Sequence, residues 1–117
     1  MFKRYLDESP GIPAQDVVVD ISPLNNSSAE RLGYPTQKPV DLGRYLVRTF
    51  SNEGDVILDN AFGSGSFLVA AALEKRRFIG IERNEEVHLF KNDRIDYVEI
   101  ATQRLIRCGA DPSVFRR

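Results

Sequence analysis

Asp55-Val56-Ile57-Leu58-Asp59-Asn60-Ala61-Phe62-Gly63-Ser64-Gly65-Ser66-Phe67-Leu68-Val69-Ala70-Ala71-Ala72-Leu73 carries the fold of this chain in one line. Its first five residues form a short, continuous apolar run between two acids, the pattern of a buried parallel strand. The run ends in a turn with two glycines. That turn opens into a predicted helix, Ser66 to Arg76, apolar nearly all round and therefore expected to be covered on more than one side. Arg77-Phe78-Ile79-Gly80-Ile81-Glu82 then reads as a second strand. Strand, glycine turn, helix, strand and a final helix make a right-handed βαβα unit, the opening half of a doubly wound sheet. The expected fold class is α/β, a partial Rossmann-like fold.

Outward from this stretch the signals weaken. On the N-terminal side, Val40, Leu42, Leu46, Val47 and Phe50 recur at helical spacing after Pro39, a favourable first-turn residue, and Ser51-Asn52-Glu53-Gly54 stops the helix. The first 35 residues are broken by Pro10, Gly11, Pro13, Pro23, Gly33 and Pro35 and read as a loop-rich lead-in with one short strand, Val17 to Ile21. On the C-terminal side, Asn84 to Asp93 reads as a polar connection. Ile95, Val98, Ala101, Thr102 and Leu105 place a stripe on a last helix, with Asn92 or Asp93 as the expected cap and Gly109 and Pro112 as the stop. The chain thus divides into the lead-in, 1–35, and the α/β part, 36–117.

Composition excludes several classes. With 117 residues, 42% hydrophobic and 28% charged, the chain has the make-up of one soluble globular domain. No run reaches the roughly 18 apolar residues of a membrane span, and Met1 to Glu8 lacks the apolar core of a signal peptide, so no membrane partner and a cytoplasmic location are expected. A single cysteine, Cys108, forms no intramolecular disulfide. With the lone His88 it makes no multi-ligand zinc site, so a packed thiol and a surface imidazole are expected. Sixteen basic against seventeen acidic residues give a net charge of −1, unlike an autonomous nucleic-acid binder, so any DNA contact must be local or shared with a partner. The clusters Lys3-Arg4, Lys75-Arg76-Arg77 and Arg116-Arg117 read as helix-capping or solvated.

In an open α/β sheet, ligands bind beyond the carboxyl ends of the strands, where glycines admit a close approach and a helix N-terminus presents its N–H groups. Gly63 and Gly65 meet that need, and Glu82 ends the second strand 23 residues after Asp59, where an acid can accept hydrogen bonds from ribose hydroxyls. An adenosine-containing cofactor follows. Leu68 stands where a dinucleotide fingerprint wants its third glycine, which disfavours a nicotinamide or flavin enzyme, although a nicotinamide-binding oxidoreductase stays as an alternative. No Gly-Lys-Ser/Thr follows the turn, so a phosphate loop is excluded. S-adenosylmethionine, which has no pyrophosphate, fits what remains.

Gly33-Tyr34-Pro35-Thr36-Gln37-Lys38-Pro39, Asp59-Asn60-Ala61-Phe62-Gly63-Ser64-Gly65-Ser66 and Phe78-Ile79-Gly80-Ile81-Glu82 resemble, in that order, the cofactor half of amino-methylating DNA methyltransferases. The class β adenine-N6 enzymes are the nearest likeness, including the modification subunits of type III restriction systems. Arg4-Tyr5-Leu6-Asp7-Glu8 and Glu30-Arg31-Leu32-Gly33 also resemble the stretch before that half. The resemblance implies an S-adenosylmethionine-binding part of a DNA methylase over 36–117. It assigns Thr36, Gln37 and Lys38 to the methionine end of the cofactor, and Asp59, Phe62, Gly63 and Gly65 to its frame. Ser64 and Ser66 lie near the amino-acid end and Glu82 takes the ribose. Asn60-Ala61 replaces the family's usual proline after the aspartate, and the link from Glu82 to the last helix is long, so the adenine side receives no residues.

In that family an Asp/Asn/Ser-Pro-Pro-aromatic segment holds the flipped adenine, and no such segment occurs in this sequence. Asp111-Pro112-Ser113-Val114-Phe115 lacks the second proline and reads as a helix-terminating tail. Class β order would place the catalytic and target-recognition parts upstream, on a longer gene or a partner chain. The chain alone is then expected to be inactive, reaching DNA through that other part. The alternative is a non-catalytic remnant or assembly subunit that folds as an oligomer, since two or three parallel strands leave open edges.

Overall fold

Strands β1 (Val56–Asp59) and β2 (Arg77–Gly80) lie side by side in parallel, with Val56 opposite Arg77 and Asp59 opposite Gly80. The computed structural model describes residues 18, 20–25, 27–32, 36–83, 89–90, 93–94 and 96–111, the four at 89–90 and 93–94 as backbone. Backbone bonds prolong the ladder at both ends, from Arg77 N to Asp55 O at 2.8 Å and from Ile81 N to Asp59 O at 2.9 Å. Parallel strands need a crossover, and helix α2 (Ser66–Leu73) supplies it. Helix α1 (Val40–Phe50) precedes the sheet and helix α3 (Tyr97–Arg107) follows it; Gly43 lets α1 pack closely on α2, and the Arg44 and Arg48 pairs described below tie the two helices together. This is the expected α/β order.

Several expectations at the periphery are corrected. Val18, Asp20 and Ile21 form no strand, Asp20 and Ile21 making a bend instead; Val17 and Val19 lie outside the described residues. Two-residue strands β3 (Leu89–Phe90) and β4 (Asp93–Arg94) pair antiparallel within the stretch expected to be a plain connection. Asp93 is therefore in a strand, and the cap of α3 is Asp96, whose carboxylate accepts from Glu99 N at 2.9 Å. Arg4 to Glu8, Gly33 to Pro35, His88, Asn92, Ile95 and the tail from Pro112 lie outside the described residues.

Alternation along the strands divides the sheet into a covered and an open face. Phe78 packs on the core of Leu68, Val69 and Leu105, joined by Val40, Phe62, Ala72 and the half-buried Cys108. Val56, Leu58, Ile79 and Ile81 point the other way and are exposed, Leu58 at 63%. Helix α2 has its apolar surface spread around it because the sheet, α1 and α3 all pack there, and Ala70 and Ala71 are fully buried.

The expected end of α2 at Arg76 is also too late. The helix stops at Leu73 in a Schellman motif, Arg76 N donating to Ala71 O and Lys75 N to Ala72 O, with Lys75 in the left-handed region at φ 59°. Helix α3 closes with the same pair of bonds, Ala110 N to Leu105 O and Gly109 N to Ile106 O, but with glycine at the left-handed position. The basic cluster at 75–77 has structural tasks: Arg76 grips the Ser51 carbonyl at 2.7 Å and its hydroxyl at 3.0 Å, binding the end of α2 to the end of α1. Glu74 reinforces that clasp, receiving 2.6 Å bonds from Arg44 and Arg48 of α1. The Arg48 bond holds the Glu74 carboxyl below its ordinary value, with Arg44 assisting and partial desolvation opposing.

Two outcomes follow. Lys75→Gly should raise stability by about 1 kcal/mol in urea denaturation, because glycine adopts the left-handed conformation without the steric penalty of a side chain. For Glu74, a carboxyl held low in the folded state contributes above the unfolded value and loses that contribution as pH falls through the folded one. Wild type should therefore be more stable than Glu74→Gln at pH 7, and the difference in urea midpoint should close well below about pH 4.3.

Candidate functional site

The cleft forms where β1 and β2 end. Asp59 closes β1 and turns the chain by accepting from Ala61 N at 3.2 Å. Phe62 N bonds Ile81 O at 3.2 Å and Gly65 N bonds Phe62 O at 2.8 Å, so the turn is laced to the end of β2. Gly63 and Gly65 have φ of 52° and 78°, the left-handed region that favours glycine. Gly65 has a second duty: a Cβ there would stand 2.7 Å from the Cβ of Ala101, so its missing side chain admits α3. Having no side chain, it also leaves the first turn of α2 without a cap.

Glu82 stands behind the turn, its Oε2 accepting from Gly63 N at 2.6 Å. This bond anchors the Glu82 carboxylate at the strand end. Facing the turn is the segment Thr36-Gln37-Lys38. Lys38 Nζ lies 3.0 Å from Thr36 O and is exposed, whereas Gln37 is buried, its amide accepting from Leu32 N at 2.8 Å and donating to Glu30 O at 2.7 Å. Gln37 thus fastens the segment to the lead-in.

Between these walls lies a cleft of about 220 Å³. Thr36, Gln37 and Lys38 line one side, and Asp59, Ala61 and Phe62 the other; Ser64, Ser66 and Phe67 complete it. Ser64 and Ser66 are 2% and 4% exposed, with their hydroxyls 3.4 Å apart. Seven of the ten residues singled out from the sequence line this one space. Gly63 and Gly65 shape the turn, and Glu82 lies outside the lining, tied to Gly63. The lining brings together a cation, hydroxyls, a helix start without a side-chain cap and the Asp59 carboxylate, a set that complements a zwitterion. Among the described residues no group of three side chains could hold a metal, and no helix is long and apolar enough to cross a membrane.

Two contributors escaped the sequence reading. Arg104 of α3 donates through Nη1 to Ser64 O at 2.7 Å and to Ser66 Oγ at 3.2 Å, and its Nη2 lies 3.5 Å from Glu30 Oε1. Glu30 Oε1 also accepts from Val40 N at 2.9 Å and so caps α1 from outside the helix. Burial pushes the Arg104 guanidinium below its ordinary value against the opposing pull of Glu30 and Cys108. The available signal was a charged residue seven positions after Tyr97 on the face that buries Tyr97, Ala101 and Leu105.

A glycine turn and strand-terminal acids at the carboxyl end of a parallel pair define an α/β ligand-binding fold of the Rossmann type. Residues 7–91 match the family described as DNA methylase, and the chain belongs to that family. It is 35% identical over 82 residues to the type II methyltransferase M.EcaI of Enterobacter cloacae and 32% identical over 100 residues to M.HpaI of Haemophilus parainfluenzae. Those alignments cover 70% and 82% of this chain but 18% and 32% of the relatives. The crystal structure of M1.HpyAVI in complex with S-adenosylmethionine superposes with a TM-score of 0.58 at 28% identity, over 80% of this chain and 42% of that one. The chain therefore spans less than half the length of each.

The double duty of Gly65 can be measured. Gly65→Ala should lose more stability than Gly109→Ala, because both backbones have positive φ but only Gly65 faces a neighbour. About 1 kcal/mol is expected for the backbone alone and a further 1–3 kcal/mol for overpacking, read from urea midpoints.

Proposed function

We propose that this chain is the cofactor-binding part of an S-adenosylmethionine-dependent, site-specific adenine-N6 DNA methyltransferase. One observation carries the reading: the three separated motifs of the sequence meet around the end of a single parallel strand pair. The donor set fits the cofactor. Lys38, Thr36 and the serine hydroxyls would meet the carboxylate of its amino-acid end, Asp59 the ammonium, Phe62 the apolar body and Glu82 the ribose. At about 220 Å³ the cleft falls below the roughly 300–1,000 Å³ of a complete small-molecule site, which suits the amino-acid end rather than the whole molecule.

The cofactor, when bound, supplies an electrophilic methyl group. This chain's residues orient it and leave the base to another part. The base must be flipped, stacked on an aromatic and held by acceptors on its amino group, which is the work of the Asp/Asn/Ser-Pro-Pro-aromatic segment missing from this sequence. That part, carried on a longer polypeptide or a partner, also brings the DNA contacts that a net charge of −1 does not supply. Adenine over cytosine as acceptor rests on the motif resemblance to class β enzymes. A second reading, an assembly subunit that folds as an oligomer without turnover, draws on the exposed apolar face of the sheet.

Calorimetric titration with S-adenosylhomocysteine tests the cofactor reading. Binding is expected, weakened about tenfold or more by Lys38→Ala or Glu82→Gln, the scale of one lost charge-assisted hydrogen bond. Glu82→Gln keeps an oxygen for Gly63 N while losing the carboxylate. A folded chain that binds nothing at millimolar ligand contradicts the proposal. Methyl transfer to adenine in DNA is expected only when a catalytic part is added.

A further inference from the structure

The Glu30–Arg104 pair reaches the Ser64–Ser66 turn and the Gln37 segment of the cleft without lining it. Arg104, with a side chain 13% exposed, reaches under the glycine turn to the Ser64 carbonyl at 2.7 Å and the Ser66 hydroxyl at 3.2 Å. Its partner Glu30 sits 3.5 Å away and takes the first amide of α1 at 2.9 Å, while the Glu30 carbonyl takes the Gln37 side chain at 2.7 Å. The facing wall, Thr36 to Lys38, and the turn wall, Ser64 to Ser66, are thus joined through one guanidinium–carboxylate pair. Planar forks hold geometry better than single donors, because two or more bonds fix both distance and orientation.

We infer that Arg104 is a positioning residue of this site: by bridging the glycine turn to Glu30 it sets the separation of the two walls and hence the affinity for the amino-acid end of the bound molecule. The inference rests on the reading of the cleft as an S-adenosylmethionine site. Arg104 acts through Ser64, Ser66 and Glu30 and does not line the cleft itself. Its positive charge lies under the start of α2, so it adds to the helix dipole where a carboxylate would be held. The ribose, which the proposed reading gives to Glu82, is held by groups other than Arg104.

Two ligands that differ only in the amino-acid end separate this role from a general structural one. S-adenosylhomocysteine has that end and 5′-methylthioadenosine lacks it. In ligand-observed NMR titrations of the full chain, Arg104→Met should weaken S-adenosylhomocysteine at least tenfold and change methylthioadenosine less than twofold. Arg104→Lys, which keeps the charge and loses the fork, should fall between. Circular dichroism reports whether each variant folds; if Arg104→Met does not, Arg104→Lys and Glu30→Gln, which keeps an acceptor for Val40 N, carry the same comparison. Equal weakening of both ligands, or of neither, overturns the positioning role while leaving the cofactor site standing. Failure of the wild type to bind either ligand overturns the cofactor reading, and this inference with it.

Discussion

Leu68 occupies the space that a side chain on Gly80 would need. A Cβ on Gly80 would collide with the Leu68 methyl and come within 2.8 Å of the Phe62 ring. The absence of that one carbon lets α2 settle on the β1–β2 pair, which fixes where α2 begins and therefore where the glycine turn stands. A dinucleotide-binding fold gains the same close approach from a third glycine on the helix. Here the small residue is on the strand and the large one on the helix. The substitution of roles explains how a leucine at position 68 is compatible with a Rossmann-type crossover while the turn before it has only two glycines.

From that contact the cleft assembles by successive ties. The ladder brings Asp59 level with Gly80, so the chain leaving β1 must cross the end of β2, and Phe62 N to Ile81 O and Gly63 N to Glu82 Oε2 hold it there. Asp59 and Glu82 are thus two acids at one end of one sheet, separated by the turn. The opposite wall is positioned less directly, through Gln37, Glu30 and Arg104. A turn with two left-handed glycines is intrinsically loose, and the bonds to Ile81, Glu82 and Arg104 convert it into a defined surface.

What was legible in the sequence was what depends on near neighbours. Strand patterning, the periodicity of α1 and α3, the apolar run of α2 and the turn residues are local signals, and they located both parallel strands and the three helices of the described residues; the residues lining the cleft came from the motif resemblance. Readings that failed involved competition between local options or distant partners. Asn92, Asp93 and Asp96 are all good capping residues, and only the pairing of β3 with β4 decides for Asp96. Lys75 ends α2 although nothing about lysine favours a left-handed backbone; the clasp of Arg76 on Ser51 and of Glu74 on α1 imposes it. Arg104 contacts residues across long separations, forty positions in the case of Ser64, and pairs with Glu30 of the lead-in; no pattern of spacing encodes such contacts.

The two faces of the sheet bear on how far the chain's chemistry can extend. Parallel sheets are normally covered on both sides, yet among the described residues only the face towards α2 is covered, while Val56, Leu58, Ile79 and Ile81 are exposed. Every tie that shapes the cleft lies on the covered face or at the strand ends, so the cleft's own contacts do not depend on what meets the open one. Holding a cofactor needs a turn, a helix start and a few convergent polar groups, which one βαβ unit supplies. Extruding and gripping a base needs an aromatic platform, amino-group acceptors and cationic contacts to phosphates, which call for a wider surface than two strands present. The division between cofactor-holding and base-holding parts proposed for this protein follows from that difference in required surface.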